Sequence, residues 1–400
     1  MALKVGKGAE APPFIVMDVI AAANARAAAA GPGDPRVIRM EVGQPATGAP
    51  AAAVQAAIAA MHAGETLGYT EAFGIRPLRE RIARHYAERY GVEVPVARIA
   101  VTVGASGAFP LAFLAAFDRG DRVALASPFY PPYVNILTAL GLQPVLLEAG
   151  PASRYQPTVA MLAALDPPPD GLILASPCNP AGTMLHAGDL AALAAWCDRY
   201  GVRLISDEIY HGLTYGAAAT TAASLSGNAI VINSFSKYWS MTGWRVGWMV
   251  LPEDLIRPVE RIAQNLFISA PGVSQVAALA AFAAEEELQG HLARYAANRK
   301  LLLEALPRAG ITHLAPAEGA FYLYADIGHL TNDSTAFCRR MLDEVAVAAT
   351  PGVDFDRRRG HRTVRFSFCG ATEDMAEAAE RLCLWLGRDG TAAGLRRSPA

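Results

Sequence analysis

Between residues 99 and 250 one pattern repeats: a short apolar run, a polar punctuation, then an amphipathic stretch. The apolar runs cover 99–103, 123–126, 172–175, 202–205 and 229–232. They do not alternate with polar residues, so each predicts a strand covered on both faces, as in a parallel sheet. The stretches between them predict helices. In one, Leu190, Leu193, Ala194 and Cys197 stand at i, i+3, i+4 and i+7, and Gly201 stops the helix. Another helix is expected over 108–117. Strands alternating with helices predict an α/β fold with a mostly parallel central sheet between helices. Ligands of such sheets bind beyond the carboxyl ends of the strands. Those ends carry Gly104-Ala105-Ser106-Gly107, Ser127-Pro128-Phe129-Tyr130, Ser176-Pro177-Cys178-Asn179-Pro180, Ser206-Asp207-Glu208-Ile209-Tyr210 and a lysine-bearing string from Ser234. These strings are therefore expected to converge.

The flanks follow other patterns. Residues 16–30 predict a helix stopped by Gly31-Pro32-Gly33, 37–42 a short strand broken by Gly43-Gln44-Pro45, and 51–63 a helix. Past residue 251 a helix-rich stretch runs to about 306, interrupted at Ser269-Ala270-Pro271-Gly272. Strands at 320–324, 345–348 and 364–368 then alternate with helices at 334–342 and 373–386, a smaller α+β unit. Residues 387–400 are small, polar and arginine-tipped, the composition of a frayed tail.

Composition narrows the picture. Four hundred residues, 52% hydrophobic and 18% charged, suffice for a two-domain globular protein. A net charge of −2 gives no attraction to nucleic acid or to an anionic membrane. No apolar run reaches the roughly 18 residues of a membrane span. The five cysteines are scattered, with no Cys-x-x-Cys pair, so neither a disulfide framework nor a metal site is expected, and a reducing cytoplasm is. Residues 1–13 lack the apolar core of a signal peptide.

The chain has four lysines, and only Lys237 lies in a dense polar string at a strand end. That string is Ser234-Phe235-Ser236-Lys237-Tyr238-Trp239-Ser240-Met241-Thr242-Gly243-Trp244-Arg245. A lysine in such a pocket can lose its proton and attack a carbonyl carbon. Asp207 stands where an aspartate would equally cap a helix, Asn179 where it would equally cap a turn, and Tyr69 where it would equally be a core or surface aromatic.

The lysine string resembles the cofactor motif of the fold-type I pyridoxal-phosphate (PLP) aminotransferases, the aspartate aminotransferase superfamily, classes I and II. Ser-x-Ser-Lys followed by Met-Thr-Gly-Trp-Arg is specific to that family, and matching motifs span about residues 14–386 in the family's order. The resemblance implies that Lys237 carries pyridoxal 5'-phosphate as a Schiff base. It implies that Arg245, Ser234, Ser236 and the turn at Ala105 and Ser106 hold the phosphate, and that Asp207 faces the pyridine nitrogen. Tyr210 and Asn179 would bond the phenolate oxygen. Tyr130 would stack on the ring, although Phe129 is adjacent. Arg365, in Thr363-Val364-Arg365-Phe366-Ser367-Phe368, would take the substrate α-carboxylate beside Asn179 and the Gly43 backbone. Tyr69 would reach a partner's cofactor, which implies a homodimer with shared sites. The implied domains are a large PLP-binding domain at 48–285 and a small discontinuous one made of 1–47 and 286–386.

The family's Pro-Gly…Phe-Gly…Gly segment is altered here. Residues 351–360 keep Pro351 and Gly352 but place Asp356 and Arg357-Arg358-Arg359 after Phe355. The expected reaction moves an amino group from an L-amino acid to a 2-oxo acid by a ping-pong cycle. With no lysine near Ser106, a neutral or hydrophobic donor is expected, with 2-oxoglutarate or pyruvate as acceptor. A partner arginine or the 357–359 cluster remains the alternative source of a distal cation. Phe14, Ile15, Tyr133, Trp239 and Phe267 are candidate pocket walls. The competing readings are another fold-type I reaction, such as a carbon–sulfur lyase, and an aspartate-type aminotransferase.

Overall fold

The N-terminal strand β1 is confined to Ile38–Arg39, shorter than the six residues expected. It pairs in parallel with β11 (Val347–Ala348). Beyond it the carbonyls turn to other partners: Met40 O accepts from Ser367 N–H, and Glu41 O from the Arg365 guanidinium and the Thr350 hydroxyl. The computed structural model describes residues 3–394, with side chains to residue 387. Of the tail expected at 387–400, residues 395–400 lie outside the described residues.

All five apolar runs are strands, and two further strands join them in one sheet. The strands are β2 (Ile99–Thr102), β3 (Arg122–Ser127), β4 (Gln143–Glu148), β5 (Gly171–Ala175), β6 (Arg203–Asp207), β7 (Ile230–Ser234) and β8 (Gly247–Val250). Their order is β2-β8-β7-β6-β5-β3-β4. Every pairing among β3 to β7 is parallel, whereas β8 runs antiparallel between β7 and β2. Thr102 and Ser234 both pair with Gly247, so the ends of β2 and β7 lie level.

Both faces are covered, which is why the runs are continuously apolar. Ile173, Ile205 and Ile232 join the core formed with α4 (Gly104–Ala116), α5 (Pro131–Leu140) and α8 (Glu253–Leu266). Their neighbours Leu172, Leu174, Leu204 and Val231 join the opposite core. That core includes residues of α2 (Ala51–His62), α3 (Arg76–Tyr90), α6 (Val159–Ala163), α7 (Ala187–Tyr200), α9 (Gly272–Ala281) and α10 (Glu285–Arg308). Burying one such leucine or isoleucine contributes about 1.5–3 kcal/mol.

A second sheet has the order β12 (Thr350–Pro351), β13 (Thr363–Ser367), β10 (Tyr322–Asp326), β9 (His313–Leu314), all antiparallel. Arg365 sits at its centre, opposite both Tyr324 and Thr350. The N-terminal helix α1 (Ile15–Ala28) lies beside it, with Ala23 packed against Val37, Leu342 and Ala348. Helices α11 (Ser334–Val345) and α12 (Thr372–Gly394) complete this part. Among the described residues no helix is long and apolar enough to cross a membrane, and no cluster of His, Cys, Asp or Glu could hold a metal ion.

Candidate active site

A cavity of about 770 Å³ opens where the carboxyl ends of the central strands face α1 and the second sheet. β7 ends at Ser234, and the chain turns to point Lys237 into it. The residues two positions to either side of the lysine face away. Phe235 and Trp239 pack on each other and on Trp248, which anchors the turn from behind. The Lys237 ammonium donates to Gly43 O at 2.5 Å. Burial lowers its proton affinity, bringing the pKa down to about 8.

Asp207, the last residue of β6, lines the cavity from the strand beside β7. Ile209 N–H donates to Oδ1 at 3.1 Å, and the Tyr133 hydroxyl donates to Oδ2. Burial raises this carboxyl to about 6, and the two hydrogen bonds and nearby Lys237 hold it from rising further. Tyr133 stands three residues past Tyr130, one turn into α5. In sequence it reads as a wall or core aromatic; only the fold shows that its hydroxyl is spent on Asp207. The adjacent pair is also resolved: Tyr130 lines the cavity and Phe129 lies in the core.

The third wall is the first turn of α4, which begins at Gly104 rather than at the expected residue 108. Ala105 and Ser106 line the cavity there, and the first N–H groups of a helix have no intrahelical partners. Arg245 lies over this turn, bonded to Thr242 O at 2.7 Å and to the Ser106 hydroxyl at 3.4 Å. Gly104 has φ +64, and a Cβ on it would sit 2.6 Å from an Arg245 nitrogen. Only glycine permits both that backbone and that approach. Ser236 is on the cavity wall. Ser234 is behind it, fully buried, with its hydroxyl 2.9 Å from that of Ser236.

Arg365 closes the far end. One amino group donates to Asn179 Oδ1 at 2.8 Å, the other to Glu41 O at 2.5 Å and Thr350 Oγ1 at 3.2 Å. Its Nε is buried without a partner. The guanidinium is sandwiched between the rings of Tyr322 (4.4 Å) and Phe355 (4.6 Å). The Tyr322 hydroxyl meets that of Tyr210 at 2.7 Å and fills the space above Gly43, where a Cβ would come within 1.8 Å of it. Burial pushes the Tyr210 phenol well above its ordinary value.

The remaining lining is mostly apolar: Phe14, Val16, Met17 and Ile20 from the N-terminal segment, with Phe109 and Ile136. Of the candidate walls, Phe14 and Tyr133 are on it; Ile15, Trp239 and Phe267 are not. The 357–359 cluster does not reach the cavity. Arg359 bonds the carbonyls of Ser127 and Ala149 and the carboxylate of Asp356. Arg358 faces Glu148, and Arg357 is exposed. Tyr69 is also outside the cavity, 84% exposed.

Known proteins resemble this chain over nearly its whole length. Residues 35–382 match the family model described as aminotransferase class I and II. A valine–pyruvate aminotransferase of Mycobacterium tuberculosis is 50% identical over 96% of this chain and 98% of its own. A crystal structure of an aminotransferase from the same species superposes with a TM-score of 0.94 at 49% identity, covering 97% of this chain and all of that one. A putative aminotransferase of Silicibacter pomeroyi does so with 0.90 at 52% identity, over 96% of this chain and all of the other. With half the residues retained from end to end and the fold superposed throughout, the chain belongs to the class I and II aminotransferase family and moves an amino group from an amino acid to a 2-oxo acid.

Proposed function

We propose that this aminotransferase takes a neutral, apolar L-amino acid of the valine class as donor and a small 2-oxo acid without a distal carboxylate, such as pyruvate, as acceptor. One observation carries the reading. The cationic residues lining the cavity are Lys237, Arg245 and Arg365, and the wall left for the donor's side chain is apolar. A distal carboxylate there would be desolvated with no charge to meet it. The sequence likeness to a valine–pyruvate aminotransferase supports the same reading.

The cavity also fits pyridoxal 5'-phosphate. An amine of lowered proton affinity, a buried carboxylate in the same cavity, and an arginine over a helix start together suit an aldehyde, a ring nitrogen and a phosphate. We assign Lys237 to the aldehyde, Asp207 to the ring nitrogen, Tyr130 to the ring face and Tyr210 and Asn179 to the phenolate. Arg245, Ser236, Ala105 and Ser106 hold the phosphate, and Ser234 orients Ser236. When bound, the cofactor draws electron density from the donor's Cα and makes its proton acidic. Lys237 Nζ is the base that takes that proton and the acid that returns it. Arg365 holds the α-carboxylate in a planar pair, releasing Asn179 or the Glu41 carbonyl and using its free Nε. Tyr322 and Phe355 keep water from the guanidinium faces.

We further read residues 48–285 as the large domain, and 1–47 with 286–386 as the small one. The exposed Tyr69 ring is read as serving the site of a second copy in a cytoplasmic homodimer. The test of the substrate assignment is a half-reaction screen, in which the PLP form is mixed with single amino acids and its absorbance followed. Valine or a similar apolar donor should convert it fastest. Fastest conversion by aspartate or glutamate would overturn the assignment.

A further inference from the structure

Helix α1 begins with a defect. Its N-cap residue is Phe14, which offers no side-chain hydrogen bond. A serine, threonine, aspartate or asparagine is usual there, because the first N–H groups of a helix need an acceptor. Phe14 instead turns to the cavity, its ring edge-on to Tyr130 at 5.7 Å. The missing cap comes from far along the chain. Asp354 Oδ1 accepts from Ile15 N–H at 3.0 Å and Oδ2 from Val16 N–H at 3.1 Å. Asp354 as a whole is 7% exposed, so these bonds are largely shielded from competing water.

Asp354 belongs to a short turn with other attachments to the site. The next residue, Phe355, lays its ring on Arg365, and its carbonyl accepts from Phe129 N–H at 3.0 Å, one residue before Tyr130. Farther along α1, Asn24 accepts from Arg39, which also pairs with Glu41, whose carbonyl accepts from Arg365. The α1 wall is thus fastened at two points to the supports of Arg365.

We propose that Asp354 is a positioning residue for donor selectivity: its carboxylate caps α1 and so holds Phe14, Val16, Met17 and Ile20 as the wall that meets the donor's side chain. This rests on the apolar-donor reading above. A branched apolar side chain such as valine's gains from contact with a fixed wall; the single methyl of alanine offers little surface to it. The carboxylate end of every donor is held by Arg365 in the same way, so selectivity is the property that Asp354 controls.

The test uses Asp354→Asn, which keeps the side chain's size but replaces one acceptor oxygen by a donor, and Ile15→Pro, which deletes one capped N–H. Proline is tolerated at the first helical position, so Ile15→Pro leaves α1 able to form. Two quantities are measured on the holoenzyme. The first is the ratio of kcat/KM for L-valine to that for L-alanine, which should fall about tenfold in Asp354→Asn, the scale on which a few methylene contacts discriminate. Ile15→Pro should move it the same way, less far. The second is amide hydrogen exchange without substrate, which should quicken in the peptide spanning residues 14–22 and not at Lys237. An unchanged valine-to-alanine ratio, an equal fall for both donors, or unchanged exchange in that peptide overturns the proposal. Conversion of neither valine nor alanine by the unmodified enzyme defeats the donor reading instead, while the exchange measurement still judges the cap.

Discussion

Tyr133→Phe removes one hydroxyl and leaves a ring that still packs against Phe109 and Tyr130. Asp207 then keeps the Ile209 N–H on Oδ1 but loses its partner on Oδ2. A hydrogen bond to an ionised group contributes about 1.5–3 kcal/mol, and about 1.36 kcal/mol displaces a pKa by one unit. Because the lost bond favoured the anion, the shift is upward, from about 6 to roughly 7–8. In the cofactor-free protein at pH 7 the ionised share of Asp207 then drops from about nine-tenths to between about a half and a tenth. If the reaction needs the anion, turnover at pH 7 falls by at most roughly tenfold, less where the ring nitrogen itself favours the anion, and recovers as pH rises. Two assays follow the same group. The acid limb of the kcat/KM profile should move to higher pH in the variant. Infrared titration of the cofactor-free protein should show the carboxylic acid band persisting to higher pH. A variant equally impaired at every pH, with an unmoved infrared midpoint, would show that Tyr133 serves packing alone.

Borohydride reduction of the holoenzyme followed by peptide mapping should place the pyridoxyl group on Lys237, and Lys237→Ala should abolish turnover; label on Lys4, Lys7 or Lys300 would refute the assignment. Gly43→Ala sets a methyl against the Tyr322 hydroxyl and should raise KM for donors while the cofactor is retained; adding Tyr322→Phe should restore part of the loss, and no restoration would mean that the clash lies elsewhere. Sedimentation should find the active enzyme dimeric, and mixing inactive Lys237→Ala with Tyr69→Ala subunits should regenerate activity in the hybrid; a fully active monomer would sink the shared-site reading.

The sequence was most legible where chemistry and local pattern coincide. The apolar runs are strands because both faces of the sheet are covered, and Lys237 stands out because other lysines are few and lie in plainer settings. Strand direction was another matter. The apolar stretch of β8 carries no mark of running against its neighbours, since residues buried on both faces look alike either way. The Asp354 cap could not be read because its two partners lie 339 and 338 residues away. Arg357 to Arg359 look like a cationic patch in sequence, yet Arg359 is engaged by backbone carbonyls that only the folded chain supplies. Asp207 was legible as a position, whereas its partner Tyr133 was not, because a tyrosine at helical spacing says nothing about where its hydroxyl ends.

The place of β2 has a consequence for how the molecule comes into being. It lies at the edge of the central sheet, and β8 is the neighbour it pairs with there. Synthesis must therefore pass Val250 before Ile99 finds its partner. Pairings such as β3 with β4 close over a single intervening helix, α5, whereas this one must wait for a stretch of about 150 residues; the extra closure entropy grows only slowly with length, but the delay in synthesis is unavoidable. Arg245 lies just before β8 and Gly104 just after β2, so joining these two strands is also the event that brings the guanidinium over the helix start. A nascent chain can assemble the middle of its sheet early, but it acquires the anion-holding corner of its cavity only with this late pairing.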